Sequence, residues 1–227
     1  MSIAENLAQI NHRIQSATER AGRAPGSVRL VAVSKNRPAA DIAEALRAGQ
    51  SIFGENYVQE LTSKLADLKE TVGWHFIGHL QSNKVRFIAG QVSLIHSVDR
   101  LSLADEISRQ WSRLGKICNI LIQVNISGES SKSGITEKGA IQLVKDCSLL
   151  PNIKVLGLMT MPPFFDDPEA ARPYFTELRG LSQTIASEQI TGVEMRELSM
   201  GMSGDFEAAI QEGATLVRVG TAIFGER

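Results

Sequence analysis

A repeated alternation of short apolar segments with amphipathic helices is the feature that most constrains the fold. Short runs of valine, isoleucine and leucine are typical of strands buried on both faces of a parallel sheet. The predicted strands cover residues 28–34, 51–53, 74–78, 93–97, 118–125, 154–160, 195–200 and 216–220. The helices predicted after them cover residues 38–48, 56–70, 81–89, 99–115, 136–149, 168–188 and 204–212, and a short helical turn closes the chain. A further helix, with an N-terminal capping box, is predicted over residues 2–22.

Eight strands that are each followed by a helix predict an α/β fold, a single closed (β/α)8 (TIM) barrel with an extra N-terminal helix. We expect residues 1–227 to form this one domain, since such barrels typically have about 250 residues. A Rossmann-like open sheet is the alternative, and it is disfavoured because no GxGxxG motif follows the first strand. Long loops are expected at 127–134 and 162–168, after the fifth and sixth strands.

Charge and composition narrow the classes of partner. The chain has 24 Lys and Arg residues against 25 Asp and Glu residues, so its net charge of -1 gives no field that would attract a nucleic acid. No apolar run approaches the roughly 18 residues of a membrane span, and the N-terminus lacks the pattern of a signal peptide. The two cysteines, Cys118 and Cys147, form no CxxC motif. We therefore expect a cytoplasmic protein that has neither a nucleic acid nor a membrane as its partner.

The site of such a barrel forms at the C-terminal ends of its strands, and Lys35 comes directly after the first predicted strand. A lysine in a partly dry barrel mouth is more easily neutral, and a neutral amine is what a Schiff base requires. The alternative is a strand-end lysine whose ammonium group simply reaches solvent.

A loop that contains glycine and serine, SMGMSGD at 199–205, follows the seventh strand. Backbone N–H groups at the start of the next helix, with more after the eighth strand, would bind an anion. These two loops are the usual phosphate position of the barrel. The alternative is an ordinary strand–helix loop with a serine cap. The candidate phosphate-binding residues are Ser199, Gly201, Ser203, Gly220 and Thr221.

Arg218 lies within the eighth strand, in the segment LVRVG. If its side chain points inward, the guanidinium needs a hydrogen-bond acceptor. It would then offer a fixed positive charge and a pair of donors to an anion. The alternative is that Arg218 forms an ion pair on the surface. The lysine, the phosphate loop and the arginine together predict a phosphorylated aldehyde held at both ends. Pyridoxal 5′-phosphate (PLP) fits this description, and so does a phosphosugar bound by a Schiff-base aldolase.

Two other candidate sites are weaker. His75 and His79 are four residues apart, but they fall on a predicted strand and not on a helix, so we expect no metal site. The segment GESSKSG (128–134) has the wrong spacing for a P-loop. We interpret it as a flexible loop in which Lys132 could meet an anion.

Taken in order along the chain, a set of specific motifs resembles the pyridoxal phosphate homeostasis protein family, and the resemblance covers nearly the whole chain. The motifs are VAVSKNRP (31–38), FGENYVQE (53–60), WHFIGHLQSNK (74–84), HSVD (96–99), QVNISGESSKSG (123–134), GLMTM (157–161) and ELSMGMSGDFEAAIQEGATLVRVGTAIFG (197–225).

The resemblance implies a PLP fold type III barrel, like the N-terminal domain of alanine racemase, with PLP bound as a Schiff base to Lys35. It implies that Asn56 and Met159 surround the ring, and that Arg218 meets either the phosphate or the pyridine nitrogen. It implies that the phosphate of PLP is bound by Ser199, Gly201, Ser203, Gly220 and Thr221. It further implies a monomer that controls intracellular PLP (vitamin B6) supply and affects amino-acid balance. PLP-dependent apo-enzymes are the recipients that this role would imply. Whether a second PLP site exists near Lys132 is left undecided by the sequence.

The residues themselves favour a PLP carrier over an enzyme. Racemisation needs a second base on the opposite face of the PLP adduct, and the two tyrosines, Tyr57 and Tyr174, are not predicted at the barrel mouth. An uncovered barrel also leaves the cofactor wet, which weakens catalysis but lets PLP enter and leave. We therefore assign no catalytic residue. The alternatives are a small PLP-dependent amino-acid racemase, with Lys35 as its one base, and the Schiff-base aldolase.

Overall fold

The computed structural model describes residues 1–68, 72–129 and 132–225. Within these residues, eight parallel strands follow one another around a closed barrel, and the last strand pairs with the first. The strands are β1 (Arg29–Val33), β2 (Ile52–Glu55), β3 (Gly73–Phe76), β4 (Leu94–Val98), β5 (Cys118–Gln123), β6 (Ile153–Met159), β7 (Val193–Ser199) and β8 (Leu216–Val219). The helices are α1 (Ile3–Arg20), α2 (Ala39–Arg47), α3 (Val58–Asp67), α4 (Val85–Ile88), α5 (Leu101–Ser112), α6 (Glu137–Ser148), α7 (Arg172–Ser187), α8 (Phe206–Gln211) and α9 (Thr221–Phe224). The predicted (β/α)8 barrel with an extra N-terminal helix is confirmed.

Two apolar layers hold the barrel together. The inner layer joins buried side chains from five strands, namely Val31, Leu94, Leu121, Leu156, Met159 and Leu216. The outer layer lies between the strands and the surrounding helices and includes the large side chains of Phe53, Phe76, Trp111, Phe175 and Phe206. Because side chains alternate along a strand, a single strand can contribute to both layers, as β5 does with Leu121 in the inner layer and Ile120 and Ile122 in the outer one. Both faces of the sheet are therefore buried, which explains the continuous apolar runs in the sequence.

The N-terminal helix α1 lies outside the repeating units and packs on α8 and α9. The predicted capping box is present: the Glu5 N–H donates to Ser2 Oγ at 3.2 Å, and the Ser2 N–H donates to Glu5 Oε2 at 2.8 Å. The apolar face of the helix is buried through Leu7, Ile10, Ile14 and Ala17. Beyond the helix, Arg23 Nη1 donates to two carbonyl oxygens of the segment from α8 to β8. These contacts fix α1 to the barrel next to its last strand–helix units.

Several elements differ in extent from the prediction, and three helices show it most clearly. The helix predicted over 81–89 is a 3-10 turn (Ser82–Lys84) followed by the single turn α4, because Gly90 leaves the helical conformation with φ of 73°. The helix predicted over 168–188 likewise begins as a 3-10 turn (Pro168–Ala171) ahead of α7. Residues 69–70 of the helix predicted over 56–70 lie outside the described residues.

The second strand is shifted towards the site relative to its prediction. It was expected over 51–53, but it continues to Glu55, because Gly54 and Glu55 pair with His75 and Phe76 of β3. A pattern of apolar residues does not reveal that a polar residue pairs with a neighbouring strand.

In the part of the chain that the structure describes, no helix is both long and apolar enough to cross a membrane.

Candidate functional site

A cavity of about 330 Å³ opens where the strands end, and we call it the barrel-mouth cavity. Its polar lining among the described residues consists of Lys35, Arg37, Asn56, Ser203, Asp205, Arg218 and Thr221, with the backbone of Gly204 and Gly220. Its apolar lining consists of Val33, Ile77, Met161, Phe164, Phe165, Pro168, Ala171 and Met202. The strand ends therefore bring together residues that are as much as 188 positions apart in the chain, from Val33 to Thr221.

Lys35 follows β1 by two residues and lines the barrel-mouth cavity, as predicted. Its side chain is half-buried. The chain turns sharply behind it, because Asn36 adopts a left-handed conformation with φ of 59°, a region that few residues other than glycine enter. A primary amine thus stands at the edge of an enclosed space and not on an open surface.

Arg218 forms the floor of the barrel-mouth cavity and is buried, with 4% of its surface exposed. Its Nη1 donates to Ser199 Oγ at 2.5 Å, and its Nη2 donates to the Thr160 carbonyl oxygen at 2.9 Å. Burial lowers the pKa of Arg218 to about 10, and the charge of Asp205 acts in the opposite direction. Among the described residues no carboxylate lies within ion-pair distance of Arg218, so its positive charge is offset only in part, by the Asp205 carboxylate on the same cavity.

Three of the predicted phosphate-binding residues meet at one end of the cavity. The Gly220 N–H donates to Ser203 Oγ at 3.4 Å, and Thr221 Oγ1 lies 3.3 Å from the same oxygen. Asp205 shapes the adjoining turn, since its Oδ1 accepts from the Met202 N–H at 2.6 Å. Hydroxyl groups and backbone donors therefore cluster on the side of the mouth where β8 passes into α9.

Three other predicted site residues lie behind the cavity lining. Met159 is fully buried in the inner layer of the barrel. Ser199 is fully buried and contacts Arg218, so it can act on a ligand through that guanidinium. Gly201 has φ of 89°, and a Cβ there would lie 2.6 Å from the Cβ of Ala209 in α8. The glycine at 201 is thus explained by helix packing and backbone conformation.

Two buried histidines extend the polar contacts below Arg218. His96 Nδ1 lies 2.8 Å from Ser199 Oγ, and His96 Nε2 lies 2.9 Å from His75 Nδ1. Burial lowers the pKa of His75 to about 3 and that of His96 well below its usual value, and the positive charges of Arg29 and Arg218 add to the effect on His96. Both imidazoles are therefore neutral at pH 7.

A hydrogen-bonded chain runs from Arg218 through the barrel interior to His75. Arg218 donates to one lone pair of Ser199 Oγ, so the serine O–H is free to donate to His96 Nδ1.

His79, which the sequence analysis paired with His75 as a weak candidate for a metal site, is exposed on the loop after β3. No cluster of three or more metal-ligating side chains occurs within residues 1–68, 72–129 and 132–225.

Sequence reasoning missed the apolar wall of the cavity. Met161, Phe164 and Phe165 come from the loop after β6, and Phe164 is 84% exposed at the mouth. The loop was predicted, but no site residue was assigned in it. The signal was the pair of adjacent phenylalanines in a proline-rich loop, because large apolar side chains rarely occur on an exposed loop without something to cover.

The comparisons with known proteins define the class first. The family model for the N-terminal domain of alanine racemase matches residues 6–227, and the chain belongs to that family. The alanine racemase of Clostridium difficile 630 shares the fold, with a TM-score of 0.74 and 15% identity over 100% of this chain and 57% of that one. The first-strand lysine at the mouth of a parallel barrel is consistent with this class.

Closer relatives define the particular family. The chain is 46% identical to the pyridoxal phosphate homeostasis protein of Aquifex aeolicus (strain VF5), over 100% of this chain and 99% of that protein. It is 44% identical to the protein of the same name from Escherichia coli (strain K12), over 99% and 97%. The solved structure of PipY from Synechococcus elongatus PCC7942 with PLP bound has a TM-score of 0.86 and 37% identity, over 99% and 100%. The chain is thus a member of the pyridoxal phosphate homeostasis proteins, as the resemblance predicted.

Proposed function

We propose that this protein binds PLP in the barrel-mouth cavity, holds it covalently on Lys35, and supplies or buffers it inside the cell. The observation that carries the proposal is the pairing, in one enclosed cavity, of a half-buried amine with a buried guanidinium that forms no direct ion pair among the described residues. PLP brings an aldehyde, which condenses with a primary amine with loss of one water molecule. The name shared by the relatives and the PLP bound to PipY support the same ligand.

The residues present fit this ligand in size and chemistry. A volume of about 330 Å³ is within the usual range for small-molecule sites. The walls formed by Ile77 and Met161 suit a flat ring, and Asn56 adds an amide whose Oδ1 is buried with no partner among the described residues. Ser203 and Thr221 offer hydroxyl groups to a phosphate. Each chemical part of PLP therefore has a matching part of the cavity.

We assign roles to the nine predicted residues in two groups. Those that line the cavity would touch PLP: Lys35, Asn56, Ser203, Arg218, Gly220 and Thr221. Those behind it would act through their neighbours: Met159, Ser199 and Gly201. Arg218 is held at the cavity floor on β8, two residues before Gly220 in the turn to α9, where it would meet either the ring nitrogen or the phosphate.

A carrier role is favoured over catalysis by the positions of the tyrosines. Tyr57 is 53% exposed and lines a neighbouring hollow with His79 and Lys84, which shares Asn56 with the lining of the barrel-mouth cavity. Tyr174 stacks on Phe165 at 5.8 Å between ring centroids, behind the cavity wall. Neither belongs to the lining of the barrel-mouth cavity as described, so we assign no second base for racemisation. We further propose that the protein works as a cytoplasmic monomer and that apo-enzymes receive its PLP.

The test of the proposal is a PLP titration followed by absorbance in the wild type and in Lys35→Ala. We expect one equivalent of PLP to give a visible absorption band in the wild type and none in the variant. Lys145→Ala is the matched control, because Lys145 lies on α6 outside the cavity lining and pairs with Glu188, and we expect it to retain the band. Equal bands in the wild type and in Lys35→Ala would overturn the assignment.

The carrier role is tested separately with the loaded protein. We expect a PLP-dependent apo-enzyme to gain activity when it is mixed with the holo-protein, and we expect no deuterium exchange at Cα of alanine or serine above the rate with free PLP. Sustained turnover or exchange that is lost in Lys35→Ala would favour the racemase instead.

A further inference from the structure

The turn that carries Lys35 is held in place by side chains from other elements. The Asn36 N–H, in its left-handed conformation, donates to Glu60 Oε2 at 2.7 Å. The Ser34 carbonyl oxygen accepts from Lys64 Nζ at 2.7 Å and from the Arg37 N–H at 3.1 Å. Both residues that flank Lys35 are therefore anchored on α3, which supplies Glu60 and Lys64 one helical turn apart.

Lys64 is the centre of this arrangement. It is 5% exposed, which is rare for a lysine, and its ammonium group has three protons to donate. Three acceptors surround Nζ: the Ser34 carbonyl oxygen at 2.7 Å, Glu55 Oε1 at 2.6 Å and Glu60 Oε2 at 3.3 Å. One side chain thus connects the end of β1, the end of β2 and the first turns of α3.

Glu55 completes the cluster. Burying its carboxylate has a considerable cost in folding free energy. It is fully buried, and its Oε1 also accepts from Ser34 Oγ at 2.6 Å. Its Oε2 is buried with no hydrogen-bond partner among the described residues. Buried ion pairs are a weak means of stabilising a fold, and apolar side chains of the same size often do better. An account based on stability alone therefore leaves the cluster unexplained.

We propose that Lys64, with Glu60, is a positioning residue that fixes the left-handed turn after Lys35 and so aims the Lys35 amine into the barrel-mouth cavity. The inference rests on the proposed function, since it concerns the presentation of the amine that holds PLP. Without Lys64 the Ser34 carbonyl loses its buried donor, and the strained Asn36 conformation loses part of its support. The amine would then sample orientations outside the cavity, where no condensation with PLP can occur.

The test measures PLP binding and borohydride-trapped phosphopyridoxyl on Lys35 in Lys64→Met, which keeps the length of the side chain but removes its donors. We expect the Kd for PLP to rise about 10-fold or more, because a small misplacement of a reacting group has a large effect. We also expect the rate of trapping at a saturating PLP concentration to fall. The matched control is Lys145→Met, which removes an exposed lysine of α6 that pairs with Glu188. This variant should bind PLP as the wild type does.

A merely structural role for Lys64 predicts a different result. The thermal midpoint of the PLP-free protein would fall, but the folded fraction would bind PLP with the wild-type Kd and trap it at the wild-type rate. That outcome would overturn the inference. If Lys64→Met does not fold, Glu60→Ala decides, because Glu60 is partly exposed and the change removes the acceptor of the Asn36 N–H. We expect its Kd to rise about 3-fold, and an unchanged Kd and trapping rate would contradict us.

A second substitution separates positioning from other effects. Glycine adopts the left-handed conformation freely, so Asn36→Gly should partly restore PLP binding to Lys64→Met. No recovery in the double variant would argue against the turn as the route and would overturn the proposal. Failure of the proposed function looks different, because the wild type itself would then give no phosphopyridoxyl group on Lys35.

Discussion

At the scale of single residues, the site depends on charges that the fold stabilises to different degrees. Lys64 is fully paired, whereas Arg218 is buried against two neutral oxygens and faces the cavity. A buried charge that has no direct ion pair, and only the nearby Asp205 carboxylate to offset it, lowers stability, and an anionic ligand would reduce that cost. Arg218 therefore links the stability of the empty protein to its affinity for PLP.

The substitution Arg218→Met tests this link. We expect the free energy of unfolding of the PLP-free protein to stay within about 1 kcal/mol of the wild type, because the lost hydrogen bonds are offset by the loss of a buried charge. We expect the Kd for PLP to rise at least about 10-fold, as one charge-assisted interaction is removed. Urea unfolding without PLP and a PLP titration measure the two quantities. A variant that binds PLP as tightly as the wild type would show that Arg218 faces no part of the ligand.

At the scale of secondary-structure elements, β3 and β4 place two neutral histidines inside the barrel. Between pH 6.5 and about 3 the unfolded chain binds a proton at His75 that the folded protein does not bind. The free energy of unfolding should therefore decrease as the pH falls through this window, by up to about 1.4 kcal/mol per pH unit for each such histidine. Urea unfolding at pH 7 and at pH 4.5 measures the slope.

A pair of variants identifies the source of that slope. His75→Asn removes the titrating group and should make the pH dependence shallower. Ile120→Val, at a fully buried position on β5, should lower stability at both pH values without changing the slope. A slope in His75→Asn equal to that of the wild type would mean that other groups control acid unfolding.

The β6–β7 pair depends on one glycine. Gly157 has φ of 156°, and a Cβ there would lie 1.8 Å from the Glu197 carbonyl oxygen, at a point where the register of the two strands shifts. Gly157→Ala should destabilise the protein by about 3 kcal/mol or more. Gly180→Ala is the control, because nothing lies within 4 Å of a Cβ there in the middle of α7. It should stabilise by up to about 1 kcal/mol in the same urea experiment, and equal effects of the two changes would contradict the steric account.

The elements could be predicted from the sequence more completely than the site. Apolar runs and helical periodicity predicted every strand and helix of the described barrel, because burial determines both patterns. The positions of Lys35 and Arg218 at the barrel mouth followed from their strands. The Ser34–Glu55–Lys64 contacts could not be predicted, since they join three elements through polar side chains that no periodicity marks. The packing of Gly201 against α8 could not be predicted either, because it depends on the position of a helix that follows in the chain.

At the scale of the whole molecule, the described residues form one barrel, and the cavity opens at its mouth. The alanine racemase of Clostridium difficile 630, by comparison, extends well beyond the shared barrel, which covers 57% of that chain. The cavity wall nearest to solvent is the loop that carries Phe164, which is largely exposed. A mouth of this kind suits a protein that must both take up and release its ligand, because solvent access weakens catalysis but permits exchange.

The central claim is that Lys35 holds PLP, and the most direct measurement is the peptide mass map after PLP loading and borohydride reduction. The account predicts one phosphopyridoxyl group per chain, on the peptide that contains Lys35, and its loss in Lys35→Ala. Adducts spread over exposed lysines, with the Lys35 peptide unmodified, would contradict the account. The amine would then serve another carbonyl compound, and a sugar phosphate trapped on the Lys35 peptide would identify the aldolase.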